Sequence, residues 1–242
     1  MQIHFLGDIH GAWGVLNQVF IRYRDNRIFQ VGDMGLGFLP LQYEMNYKGE
    51  MVPTRPDPDP EAFPDRFHFI RGNHDNPAKC REYPNYLGDY GVDPETGIFF
   101  LSGGFSIDHK LRTPGMDFWH DEEVSTSELN KAIELYEKVK PRFVISHEPP
   151  TEVHDKLTTQ SAYGPSRTCE ALQAMLDIHR PETWVFGHHH KVWRNNIKGT
   201  HFACAAINQV LTFTIDGTNR VESLPTTSPG LLLSSTEEGQ AA

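Results

Sequence analysis

"QIHFLGDIHGAWGVLNQVFIRYRDNRIFQVGD", residues 2–33, is the stretch whose reading decides the fold. QIHFL (2–6) is a short β-like run that stops at Gly7. In residues 12–24 the apolar side chains Trp13, Leu16, Val19, Phe20 and Tyr23 recur at helical spacing. RIFQV (27–31) is again strand-like and stops at Gly32. Strand, loop, helix and strand in this order open an α/β layered domain. In both strands the terminal glycine is followed at once by an aspartate, Asp8 and Asp33.

Further along, FHFI (67–70), IFFL (98–101), RFVIS (142–146) and TWVF (183–186) read as strands. THFACAA (200–206) and QVLTFTI (209–215) read as strands paired with each other, with Ile207–Gln209 between them. Ser125 and Glu128 make a capping box that opens a helix over 126–140, ended by Pro141. A second helix spans 166–180 and is closed by Pro181. Residues 34–66 break the pattern. The run MVPTRPDPDPEAFPDR (51–66) suits neither a helix interior nor a central strand, so this segment reads as a long surface excursion over the site. Its carboxylates Asp57, Asp59 and Glu61 read as a solvated loop. Residues 102–112 read as a loop. Residues 1–225 are expected to form one domain, and the tail 226–242, rich in turn formers and small polar residues, is expected to be disordered.

The 242 residues are 38% hydrophobic, enough to bury a core. The formal charge of −10 disfavours long nucleic acid, which needs a basic surface. Three cysteines, Cys80, Cys169 and Cys204, without a C-x-x-C, give no disulfide framework and point to a reducing, cytoplasmic setting. No secretory leader is visible at "MQIHFLGDIHG", and no apolar run reaches membrane-spanning length.

Chemistry-bearing residues collect just after the strand-like runs. Asp8 and His10 follow the first, Asp33 the second, Asn73, His74 and Asp75 the third, His147 the fifth, and His188 and His190 the sixth. In layered α/β proteins, sites form beyond the carboxyl ends of strands. Gly7, Gly32, Gly72 and Gly187 stand before them and permit the sharp turn that lets a short side chain point into a crevice. Asp8, His10, Asp33, Asn73, His147, His188 and His190 mix oxygen donors with imidazoles and contain no thiolate. That set suits Mn²⁺, Fe²⁺, Zn²⁺ or Ni²⁺ better than Mg²⁺ alone. Seven ligands are too many for one tetrahedral zinc and suit two ions sharing a carboxylate. Two such ions clamp the attacking and leaving oxygens of an in-line displacement at phosphorus.

The blocks GDIHG (7–11), GDMG (32–35), GNHD (72–75), SHEPP (146–150) and GHHH (187–190) together resemble the calcineurin-like metallophosphoesterases, in small bacterial or phage-type form. The resemblance implies a four-layer αββα β-sandwich with a dinuclear metal site at the C-terminal ends of its strands. It implies that Asp8, His10, Asp33 and His190 hold one ion, and Asp33, Asn73, His147 and His188 the other, with Asp33 bridging and His189 a spacer. Manganese is the first choice of metal. A hydroxide between the ions would attack phosphorus, and His74 would protonate the leaving oxygen as general acid. Asp75 would orient His74 and raise its pKa, and Arg71 resembles a phosphate-binding arginine.

Block two here reads GDMGLG (32–37), without the Asp and Arg that Ser/Thr protein phosphatases carry, so protein phosphatase activity is in doubt. GGFSIDHKLR (103–112) resembles a loop of small bacterial and phage-type members. It gives Asp108 and Arg112 either a place at the site's edge or an ordinary surface ion pair. Glu148 is either a partner of the ligating imidazoles or a solvent-exposed residue, and the tryptophans Trp13, Trp119, Trp184 and Trp193 read as core or pocket walls. The expected substrate is a small phosphate mono- or diester. A nuclease or cyclic-nucleotide phosphodiesterase, and a non-catalytic scaffold on the same fold, are the alternatives.

Overall fold

A computed structural model describes residues 2–38, 43–45, 51–53, 56–158, 164–215 and 221–223. The tail 226–242 lies outside the described residues. The strands are β1 (Gln2–Leu6), β2 (Arg27–Val31), β3 (Tyr43–Met45), β4 (Met51–Pro53), β5 (Phe67–Ile70), β6 (Tyr90–Val92), β7 (Phe99–Leu101), β8 (Phe143–Ser146), β9 (Thr183–Phe186), β10 (Trp193–Ile197), β11 (Thr200–Cys204), β12 (Val210–Ile215) and β13 (Val221–Ser223). The helices are α1 (Trp13–Arg22), α2 (Pro77–Cys80), α3 (Thr126–Val139), α4 (Thr151–Leu157) and α5 (Arg167–Ile178).

Two sheets carry the molecule. One has the order β13-β12-β1-β2-β5, the other β10-β11-β9-β8-β7-β6. β1, β2 and β5 run parallel, as do β7, β8, β9 and β11. Because side chains alternate across a strand, each strand feeds two cores. Ile3 and Phe5 of β1, Phe29 and Val31 of β2, Phe143 and Ile145 of β8, and Val185 of β9 pack between the sheets. Their neighbours Leu6 and Ile28 face outward onto α1 through Leu16 and Val19. Val144, Trp184 and Phe186 face the other way onto α3 and α5 through Tyr136, Leu172 and Met175. Three apolar layers between helix, sheet, sheet and helix make the four-layer αββα sandwich. The apolar alternation is short in each strand because both faces are buried, which is why the sequence runs read as nearly continuous.

The helix ends follow their caps. The Ser125 side chain accepts from the Glu128 amide at 3.3 Å, and α3 ends with Lys140 in the left-handed region just before Pro141. Ser166 accepts from the Cys169 amide at 2.9 Å and opens α5.

One pairing departs from the sequence reading. β11 and β12 are not partners: β11 lies between β9 and β10, whereas β12 lies beside β1. The turn at Ile207–Gln209 crosses from one sheet to the other, with Asn208 at φ 57° and the Gly7 amide donating to the Gln209 carbonyl at 2.9 Å. Two adjacent β runs look like a hairpin in sequence whether their turn pairs them or hands the chain across a sandwich. The excursion 34–66 holds more order than expected, since β3 and β4 pair antiparallel. Phe63 is buried against Phe20 and Phe67.

Candidate metal centre

The parallel strands of both sheets end on one edge of the sandwich, where the loops after β1, β2, β5, β8 and β9 meet. The first two loops are zipped together. Ile9 and His10 donate backbone N–H groups to the Asp33 carbonyl at 3.0 Å, and Gly11 donates to the Met34 carbonyl at 2.7 Å. Gln30, buried in the middle of β2, ties both loops from beneath. Its Nε2 donates to the Gly7 and Gly32 carbonyls, and its Oε1 accepts from the Gly32 amide at 3.0 Å. The signal for Gln30 was a polar residue inside an apolar strand, since a buried amide must find partners.

The backbone here is strained. His10, Asp33, His188 and His190 all have positive φ, at 44°, 58°, 64° and 54°. A non-glycine residue in this region costs about 1–3 kcal/mol and persists where the surroundings over-determine it, as at functional sites. The strain aims these side chains inward. Close approach also explains two glycines: a Cβ on Gly72 would strike Asp33 Oδ1 and His147 Nε2, and one on Gly187 would strike Asp8 Oδ1.

All seven residues singled out in the sequence come together. Ligand atoms of Asp8, His10, Asp33 and His190 lie within 4.8 Å of one another, a group able to hold a metal ion. His190 Nε2 stands 3.0 Å from Asp8 Oδ2 and 3.1 Å from His10 Nε2, and His10 Nε2 stands 3.9 Å from Asp33 Oδ2. On the other side of Asp33, His147 Nε2 lies 3.2 Å from Asp33 Oδ1 and 3.1 Å from Asn73 Oδ1. His188 Nδ1 lies 3.0 Å from Asn73 Oδ1 and 3.3 Å from His147 Nε2.

The donors fit a cation. His147 Nδ1 is 2.9 Å from the Val31 carbonyl, an acceptor that assigns it the ring proton. That leaves the Nε2 lone pair aimed at two oxygen acceptors, which only a positive charge reconciles. Burial alone would lower the His147 pKa, yet the Asp33 carboxylate beside it pushes it up to about 10. Burial would raise the Asp33 pKa, and His147 holds it well below the ordinary carboxylate range. Both shifts express the same demand for a cation, as a proton or a metal, between them.

Asn73 is oriented by residues the sequence reading missed. Its Nδ2 donates to Ser106 Oγ at 3.2 Å, and Ser106 Oγ donates to Glu122 Oε2 at 2.7 Å. This chain turns Asn73 Oδ1 toward the imidazoles. Glu148 is buried, accepts from Ser166 Oγ and stands 3.8 Å from His188 Nε2, which places it behind the imidazole and not in solvent. His189 points away and packs on His154 and Phe186.

His74 lies against the centre. Its amide donates to Asp33 Oδ1 at 2.8 Å, its ring meets His10 edge-on at 4.8 Å, and Phe38 stacks on it at 4.7 Å. Two expectations for its surroundings are corrected. Asp75 does not touch the His74 ring: its oxygens accept from the amides of Gly72, Met34, Gly35 and Leu36 and clamp two loops. Nor is the His74 pKa raised. Burial lowers it to about 4, with Asp33 opposing and Arg112 assisting. The Asp75 carboxylate is taken up by the amide of Gly72 in its own turn and by three amides of the loop after β2, which leaves none of it for the ring. Arg71 is not a phosphate fork at the site. It is 1% exposed, with Nε on Asp89 Oδ1 at 3.0 Å and Nη1 on the Glu122 carbonyl. The cation beside His74 is Arg112, whose Nη2 lies 2.6 Å from His74 Nε2. Its Nε also pairs with Asp108 Oδ1 at 2.7 Å, so the ion pair and the place at the site's edge are both found.

The sequence profile of the calcineurin-like phosphoesterases matches residues 1–192. No curated protein matches the chain. The crystal structure of TT1561 of Thermus thermophilus is 9% identical, with a TM-score of 0.54 over 92% of this chain and 97% of that one. It shares the fold. A Streptococcus pneumoniae protein described as a predicted phosphoesterase is 12% identical, with a TM-score of 0.43 over 95% of this chain and 90% of that one. Among the described residues no helix is long and apolar enough to cross a membrane.

Proposed function

The chain belongs to the calcineurin-like phosphoesterase family, and on that premise we propose that it hydrolyses small phosphate mono- or diesters with two divalent ions. Asp8, His10, Asp33 and His190 would hold one ion, and Asp33, Asn73, His147 and His188 the other. The observation that carries this reading is Asp33, whose Oδ2 faces His10 while its Oδ1 faces His147. One carboxylate offered to two clusters is the arrangement that two ions sharing a ligand require. The ions, manganese(II) first and iron(II), zinc(II) or nickel(II) as rivals, would act as Lewis acids on the phosphoryl oxygens and acidify a water for attack.

The protein's own residues do the rest. His74 is the general acid: its Nε2 accepts from Arg112 Nη2 in the substrate-free site, and it gains the proton it delivers to the leaving oxygen when a bound phosphoryl group draws Arg112 away and its negative charge raises the imidazole pKa. Phe38 and the Asp33–amide contact fix its ring and backbone. Asp75 holds the β2 and β5 loops in register so that Asp33 and His74 keep their spacing. Ser106 and Glu122 keep the Asn73 oxygen, not its amide nitrogen, toward the ligands. The charge of −10 disfavours long nucleic acid as substrate. The buried, unpaired Cys80, Cys169 and Cys204 support a reducing, cytoplasmic setting.

The test is turnover of p-nitrophenyl phosphate and bis-p-nitrophenyl phosphate by chelated protein reloaded with Mn²⁺, Fe²⁺, Zn²⁺ or Ni²⁺. Mn²⁺ should restore activity. Asp33→Asn should lower it by about a thousandfold or more, and His74→Ala by about a hundredfold on esters with poor leaving groups. Tight binding of ions with no turnover of any ester would overturn the reading in favour of a scaffold.

A further inference from the structure

Segment 105–119 leans over the site from Ser106, which holds Asn73, to Trp119, whose ring lies 5.7 Å from Phe38. Arg112 sits in the middle of it, and its side chain is only 10% exposed. Its guanidinium is braced from behind: Nε pairs with Asp108 Oδ1 at 2.7 Å, Nη1 donates to the Asp117 carbonyl at 3.2 Å, and Cζ lies 5.5 Å above the Phe38 ring. The remaining arm points at the site, with Nη2 on His74 Nε2.

That arm has no charge to meet. Arg71, buried deeper still, is neutralised by Asp89. Among the described residues Arg112 forms a direct ion pair with the half-exposed Asp108 on its outer side, Glu122 feels its charge without pairing with it, and its inner side meets an imidazole. A guanidinium held against an imidazole gains little, because neither partner brings negative charge. A fork of N–H donors fixed in this way is matched to a phosphoryl oxygen. The geometry points to Arg112 as a substrate-binding residue that takes a non-bridging oxygen of the phosphoryl group beside His74, and to phosphomonoester dianions as the preferred class of substrate. This rests on the phosphoesterase reading of the same site.

The preference for monoesters follows from charge. A monoester dianion brings a second negative charge for the guanidinium to pair with. A diester has only one charge. Asp108 acts through Arg112 and is a positioning residue.

The experiment compares the wild type, Arg112→Gln, Arg112→Lys and Asp108→Asn, each loaded with Mn²⁺. Values of kcat and KM are measured on p-nitrophenyl phosphate and bis-p-nitrophenyl phosphate, and inorganic phosphate binding is measured by calorimetry. Arg112→Gln should lower kcat/KM on the monoester by on the order of a hundredfold and on the diester by no more than about tenfold. Phosphate binding should weaken in parallel, Arg112→Lys should recover part of the loss, and Asp108→Asn should mainly raise KM for the monoester. Equal losses on both esters with unchanged phosphate binding would mark Arg112 as a brace of the loop and overturn the inference. If the wild type turns over neither ester, the phosphoesterase reading falls. Phosphate binding then still decides: weakening in Arg112→Gln supports the anion subsite, and no change overturns it.

Discussion

The two halves of the centre, one on each side of Asp33, are built differently. In the half made with Asn73, His147 and His188, Asn73 is 4%, His147 0% and His188 18% exposed, and each side chain has a polar group behind it. Val31 holds His147, Ser106 holds Asn73, and Glu148 stands behind His188. In the half made with Asp8, His10 and His190, the His10 and His190 side chains are 27% and 41% exposed. Their ring nitrogens meet one another and the carboxylates. A ligand set held by its neighbours loses little entropy on binding, and a looser one loses more. On the two-ion proposal, the closed half would be the high-affinity site, and the open half would be where an ion exchanges and substrate arrives.

The largest effect that could break this contrast is on ion affinity. In a Mn²⁺ titration of chelated protein, the wild type should bind in a tight and a weaker step. His147→Ala should weaken the tight step by about a hundredfold or more, while His190→Ala should weaken chiefly the other. If both variants weaken the same step to the same degree, the halves are not distinct.

The contrast also governs what could be read from sequence. The seven candidate ligands were legible because strand, glycine and polar residue stand next to one another at four strand ends, and at the fifth His147 follows its strand directly. A layered α/β domain followed from those strands and from the helical runs at 12–24, 126–140 and 166–180, and the four-layer sandwich from the resemblance that the five blocks carry. What was illegible lies where contacts join distant segments. Arg71 and Arg112 are both arginines near motif residues. Only the path of segments 86–89 and 117–122 decides that Arg71 is spent on Asp89 and Glu122 while Arg112 reaches His74. Asp75 was misjudged because the four amides it binds come from two loops 36 to 38 residues apart in their numbering, Met34, Gly35 and Leu36 on one and Gly72 on the other. The Asn73–Ser106–Glu122 chain has no local signature. The crossing at 207–209 failed for the same reason, since a turn does not announce which sheet its next strand will join.

A smaller effect sharpens the contrast through the glycines. Gly72→Ala would push a methyl group against Asp33 Oδ1 and His147 Nε2, inside the closed half. Gly187→Ala would push one against Asp8 Oδ1, in the open half. Each should cost its own half roughly ten- to a hundredfold in ion affinity. Calorimetric titration of both variants checks this, and a Gly72→Ala protein with an unaltered tight step would contradict the packing described.

The smallest effect concerns the outer brace of the closed half. Burial pushes the Glu122 carboxyl up to about 7, against the two hydrogen bonds from Ser106 that favour its charged form. The folded chain therefore holds this proton more tightly than the unfolded chain, where the ordinary value is 4.5. Its contribution to stability is complete below that ordinary value and is lost as the pH rises through about 7. Glu122→Gln removes the titration but keeps an oxygen for the Ser106 amide. Between about pH 5 and about pH 8 the Tm of the chelated variant should fall less than that of the wild type. If the two slopes coincide, Glu122 is charged throughout that range, and the closed half is braced by a carboxylate whose burial Ser106 and Arg112 fully offset.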